Sequence, residues 1–223
     1  VRQVAKEGAG EFMYAGLLMV RPSDQTTVPV EFHTRDDHMR KAFELAGQGK
    51  FSEDDLDDIA GHNSVAYLFF SPSILEQRET LIAFSEFMQK MGGIAVKVES
   101  TGTAHTWENW LELLRSDSPK DWYTSLIVLI GGEEVYYSCG MHHFGMADVE
   151  VPRSLDIQEA AYLMNNFNVW RIVEKKKIET GQTFSVDEDA PRFRMSQVPD
   201  SRHEEDDLFH NPEGLWRLDP VEA

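Results

Sequence analysis

The stretch VAYLFF at residues 65–70, followed by SPSILEQRETLIAFSEFMQKMGG at 71–93 and IAVKV at 94–98, decides the fold class. The first run is short, β-branched or aromatic, and bounded by Asn63 and Pro72, which predicts a strand central in its sheet. Ser73-Ile74-Leu75-Glu76 has the spacing of a capping box, opening a helix whose Leu81, Phe84, Met88 and Met91 form one apolar stripe. Gly92-Gly93 stops it, and Ile94–Val98 returns as a strand. Residues 65–98 therefore read as a β-helix-β unit, right-handed and parallel if its strands share a sheet.

Toward the N-terminus, Phe12–Val20 reads as one buried strand closed by Arg21, Pro22 and Ser23, after a flexible arm over residues 1–10. Asp36–Ala46 has helical spacing at Met39, Phe43 and Ala46. SEDDLDD at 52–58 reads as a solvated first helical turn capped by Ser52, since the glycine and ligand spacing of a calcium loop are missing. Toward the C-terminus, Thr106 caps a helix bearing Trp107, Trp110, Leu111 and Leu114, and Ser125–Ile130 with Val135–Cys139 flank a hairpin turn at GGEE. Asp148–Val151 alternates like a half-buried strand, and Asp156 caps a last long helix carrying Leu163, Met164, Phe167 and Trp170. From Gly181 onward the chain is acidic and turn-rich, and its apolar clusters imply that it wraps the rest. The expectation is a single α+β domain over residues 11–223: a mixed sheet holding the β-helix-β unit and the hairpin, helices packed on it, and a wrapping C-terminal segment.

The 223 residues carry 21 Lys and Arg against 39 Asp and Glu, a formal charge of −18, with 41% hydrophobic residues. That is enough apolar chain for a substantial core and the wrong sign for nucleic acid or anionic membrane surfaces. One cysteine, Cys139, permits no internal disulfide, and no stretch suits a membrane span or signal peptide, so a cytoplasmic location is expected.

The densest gathering of reactive groups is Cys139-Gly140-Met141-His142-His143-Phe144-Gly145-Met146-Ala147-Asp148. On an extended strand His142 and His143 point to opposite faces; only a bend at Gly140 and Gly145 brings them together, with Asp148 or a distant histidine completing the set, and such a bend aims His142 and Asp148 toward a pocket while Cys139 and Met141 pack inward. A divalent metal on His142, His143 and Asp148 is one use of such a set, though no zinc signature is present and none is favoured. Cys139 as a nucleophile with a histidine base is another. His62, His105 and Arg217 are further candidates for binding, the histidines because they flank a strand and a helix, Arg217 because it follows Trp216 in NPEGLWRL.

Four pieces of the chain are similar to the bacterial domain-of-unknown-function family numbered 4261: HNSVAYLF at 62–69, GGIAVKVESTG at 92–102 with the following Trp110, YSCGMHHFGMADVEV at 137–151, and NPEGLWRL at 211–218. Ala147 stands where that family's pattern more often has proline. The resemblance implies a compact α+β domain of bacterial origin and supplies no reaction, cofactor or catalytic residue. The spacing of Gly140, Gly145 and Asp148 also resembles the suppressor-of-fused-type domains, which are similar to binding and immunity modules. The function expected is a non-enzymatic, immunity- or adaptor-like interaction module with a basic protein as partner; the alternative is a metal-dependent or thiol hydrolase centred on residues 139–148.

Overall fold

The computed structural model describes residues 12–71 and 73–221, which form an α+β protein. The arm expected over residues 1–10 lies outside the described residues. The chain gathers into two compact units, one running to Lys97 and including Ala104–Arg115, the other made of Val98–Thr103 and the chain from Ser116 onward.

The first unit holds a four-stranded antiparallel sheet in sequence order: β1 (Met13–Ala15), β2 (Leu18–Arg21), β3 (Thr26–Thr34) and β4 (Ser64–Leu68). The apolar run at 12–20 is thus a hairpin rather than one strand. Gly16 takes φ 71°, and Ala15 pairs with Leu18 across a two-residue turn, a fold-back that alternation alone does not reveal. β4 lies at the sheet's edge, not its centre.

Two short helices, α1 (Met39–Gly47) and α2 (Glu53–Ala60), join β3 to β4. Ser52 caps α2 as expected, its hydroxyl accepting from Asp55 N and its own N–H donating to the Asp55 carboxylate. The long helix α3 (Ile74–Lys90) lays Phe84 against Met19, Val28 and Val30, with Phe12, Phe87 and Met88 at the margin. Its capping box does not form. Ser73 sits at φ 86°, outside the extended conformation a capping side chain needs, and its hydroxyl makes no cap bond.

The β-helix-β unit does not close within one sheet either. β5 (Ala95–Val98) pairs with the adjacent β6 (Thr103–Thr106) in a two-stranded ribbon, across a turn in which Gly102 N donates to Val98 O at 2.8 Å. Closing that short loop costs less chain entropy than carrying β5 back beside β4. Thr106 then caps α4 (Trp107–Arg115), accepting from Asn109 N at 3.3 Å.

In the second unit α5 (Pro119–Leu126) leads into β7 (Val128–Gly131) and β8 (Val135–Cys139), the expected hairpin with Val128 opposite Cys139, except that Ser125 and Leu126, expected in its first strand, end the helix α5 that Pro119 opens. β9 (Asp148–Pro152), α6 (Ile157–Glu174), β10 (Thr183–Phe184), β11 (Phe193–Val198) and β12 (Leu215–Pro220) complete it. The strands form one sheet in the order β10-β11-β12-β9-β8-β7, antiparallel except where β12 runs parallel to β9. A mixed sheet exists, then, but it contains neither residues 64–68 nor 95–98. Nor does the C-terminal segment simply wrap: its apolar clusters are three strands, and β12 occupies the sheet interior beside β9. Phe193, Met195, Trp216 and Leu218 alternate inward there and meet Leu163, Met164 and Phe167 of α6, together with Val149 and Val151 of β9.

Candidate functional site

β9 reads DVEVP, and its period of two sends Val149 and Val151 to the α6 side of the sheet and Asp148 with Glu150 to the other. The sequence pattern suggested that this second face is wet. Instead Asp148 is 2% exposed and Glu150 0%, because β8 and β12 flank the strand and the segment 199–214 contributes Arg202 and Asn211 to the carboxylates. Burying two carboxylates costs heavily unless each is paired or well hydrogen-bonded, and both are.

Glu150 is opposite Tyr137 on β8 and Arg217 on β12. Its Oε1 accepts from Arg217 Nε at 2.5 Å, and its other oxygen is ion-paired with Arg202. The Arg202 guanidinium also lies 4.7 Å above the Tyr137 ring, and burial pushes its pKa down. Asp148 accepts from Ser138 Oγ at 2.8 Å, Met141 N at 3.2 Å and Asn211 Nδ2 at 2.6 Å. Burial raises its carboxyl pKa, and these three donors partly oppose the rise. Asn211 also donates to Met146 O, and Asp200 accepts from the backbone N–H groups of Arg202 and Asn211, so the 199–214 strap is bonded to β9 and within itself.

Arg171, from α6, donates to Ala147 O at 2.7 Å and Asn168 Oδ1 at 2.6 Å. Burial lowers its pKa to about 10, the nearby Asp148 charge opposing, so it stays charged at neutral pH.

Residues 139–148 do bend at the two glycines. Gly140 takes φ 121°, and a Cβ there meets Leu126 O at 2.5 Å, which excludes any larger residue without a backbone shift. Met141–Phe144 form a 3-10 turn ending at Gly145, φ 64°. The bend brings the His142 and His143 rings to a centroid distance of 4.3 Å. His143 Nε2 is 2.8 Å from Ser100 Oγ, and burial together with His142 lowers its pKa to about 3. Burial and the nearby His210 lower His142 to about 4, and its Nδ1 is buried without a hydrogen-bond partner.

Cys139 is 2% exposed, its thiol directed to Ser100 O at 3.9 Å. Burial, with Asp148, Asp200 and Asp207 adding to it, pushes the thiol pKa up, away from the thiolate a nucleophile needs. No three His, Cys, Asp or Glu side chains converge as a metal-ligand set among the described residues.

Asp148, Arg217, His142, His143 and Cys139 all belong to the second unit, whereas His62 and His105 belong to the first. His62 Nδ1 lies 2.7 Å from Ile59 O and Nε2 accepts from Asp36 N; His105 Nδ1 lies 2.9 Å from Asn109 Oδ1. Sequence reasoning missed Glu150, Arg171, Arg202 and Asn211. Arg171 left a usable signal, a single cation on the stripe continued from Leu163, Met164 and Phe167.

Beside the strap opens a cleft of ≈ 810 Å³ lined by His203, Glu204, Glu205, His210 and Glu213, with Gln197 from β11. Glu204, Glu205 and Glu213 are exposed and carry its negative charge.

Compared with known proteins, this α+β chain matches no family model, no curated protein and no solved structure at a significant level.

Proposed function

We propose that the protein is a non-enzymatic interaction module, immunity- or adaptor-like and cytoplasmic, in which the acidic cleft at 199–214 receives a basic segment of a partner protein. The observation that carries it is the way Glu204, Glu205 and Glu213 line an open cleft whose lining residue Asn211 is bonded to Asp148 of the sheet. Such a surface attracts cationic partners over a screening length of about 8 Å at physiological salt and repels nucleic acid. Thiol hydrolysis fits less well, since Cys139 is held protonated and Asp148 is enclosed by its donors.

Titration calorimetry with an oligolysine peptide tests it. Binding should weaken at least about tenfold from low to high ionic strength, and by a similar factor when Glu204, Glu205 and Glu213 are changed together to Gln. No binding at low salt, or binding indifferent to salt and to these substitutions, overturns it.

A further inference from the structure

The strap closes over a group of histidines. Its Phe209 packs on the turn at 99–102, where a Cβ on Gly102 stands 3.7 Å from the ring. That turn supplies Ser100, whose Oγ is 2.8 Å from His143 Nε2, and the next strap residue, His210, faces His142. Arg202, paired with Glu150, and Asn211, bonded to Asp148, anchor the two ends, and the Asp200 carboxylate accepts from the N–H groups of both. Residues 203–210 are thus a short loop closed at its base, the part free to lift. Within this group His142 Nδ1 and His203 Nε2 are buried without a hydrogen-bond partner. A neutral ring leaves an acceptor nitrogen unpaired at modest cost, whereas an imidazolium carries N–H on both nitrogens and buries an unpaired charge.

The charges around these rings set the direction. His142 faces His143 of its own turn, 4.3 Å away, and His210 of the strap; Asp148 on β9 is engaged by Ser138, Met141 N and Asn211. Asp200 lies 3.9 Å from His210 Nδ1 and Asp207 3.8 Å from His203 Nδ1, so a proton on either strap histidine gains attraction inside the strap. The charge on His210 then opposes one on His142. We propose that the strap is an acid-released latch: protons on His142 and His143 are accommodated only when residues 203–210 lift from the turn, and lifting takes apart the acidic cleft that they line. The closed strap holds both rings neutral, with pKa values lowered to about 4 and about 3, whereas rings released to water protonate near pH 6.5. The closed form is favoured in full above about pH 6.5, and at about pH 5.5 opening becomes about tenfold easier for each ring released. The latch stands on the turn and the strap; its bearing on a basic partner rests on the cleft reading.

Hydrogen exchange of the full chain, corrected at each pH for the intrinsic amide rate, tests this. From about pH 7.5 to about pH 5.5 the protection of residues 203–210 should fall at least about tenfold, while that of β11 and α6 holds. In His142→Gln most of that fall should be lost, and in His142→Gln with His143→Gln all of it; His142→Ala serves should glutamine prevent folding. Strap protection indifferent to pH, a fall of the same size in the variants, or a fall spread evenly over the unit each overturn the proposal. Oligolysine at about a hundred times its dissociation constant should restore about a hundredfold of strap protection at the lower pH, because it binds only the closed form. Oligolysine that binds without protecting the strap overturns the coupling of latch to cleft. Oligolysine that does not bind at all overturns the cleft reading and leaves the latch to be judged on the exchange profiles.

Discussion

The two units bury different things. In the first, the sheet is closed by apolar contact, Met19, Val28 and Val30 against Phe84, and its buried His62 is held by two backbone groups, Ile59 O and Asp36 N. In the second, an apolar layer of similar make lies under α6, while the sheet's other face buries Asp148 and Glu150 against Ser138, Asn211, Arg202 and Arg217. Apolar packing is indifferent to direction and tolerant of substitution by a similar volume. A buried polar network fails when any member is removed, and it specifies one geometry. The second unit's stability should therefore depend on individual polar atoms in a way that the first unit's does not.

The largest effect expected is for Glu150→Ala, which leaves the mostly covered Arg202 without its carboxylate and releases the half-exposed Arg217 to water: about 3 kcal/mol, read as a lower denaturation midpoint and faster amide exchange in β9. A loss below about 1 kcal/mol means that the two arginines find water and the network does not hold the face.

Acid should act next. His142 and His143 are held neutral in the folded chain, with pKa values lowered to about 4 and about 3, whereas the unfolded chain protonates them near pH 6.5. Their contribution is whole above about pH 6.5 and is lost as pH falls toward the folded values, on the order of 3 kcal/mol for the pair between about pH 7 and pH 5. The raised Asp148 works in the opposite sense, gaining stability as it protonates. The clean measurement is the difference in pH dependence between the wild type and His143→Gln; identical profiles show that the histidine environment is wetter than its geometry indicates.

Asn211→Ala removes a donor from Asp148 and from Met146 O together, for about 2 kcal/mol and increased protease cleavage within residues 199–214. Loss of stability without strap cleavage separates the bond to β9 from the strap's attachment. The smallest effect belongs to His142→Ala, under about 1 kcal/mol at neutral pH, because the unpartnered Nδ1 leaves with the ring. A collapse in melting temperature, accompanied by loss of a bound metal from the wild type, moves the hydrolase alternative to the front.

Parts of this were legible before any fold was known. The caps at Ser52, Thr106 and Asp156, the hairpin across GGEE and the apolar stripes of α3 and α6 are written in contacts a few residues apart. The bend at Gly140 and Gly145 was readable as the condition for His142 and His143 to meet, and they meet. Ser73 shows where local reading fails, because spacing that suits a cap does not choose the backbone conformation that a cap needs.

By itself, then, the amino-acid sequence determined the α+β class, most helices, one hairpin and the segment in which reactive groups crowd, since helix periods and turn chemistry act within a few residues. Only the tertiary structure decided which strands pair beyond that hairpin and that Asp148 and Glu150 are buried. An alternation such as DVEV is the same whether one face is wet or sealed, and what seals it stands 63 residues away in Asn211 and 67 in Arg217.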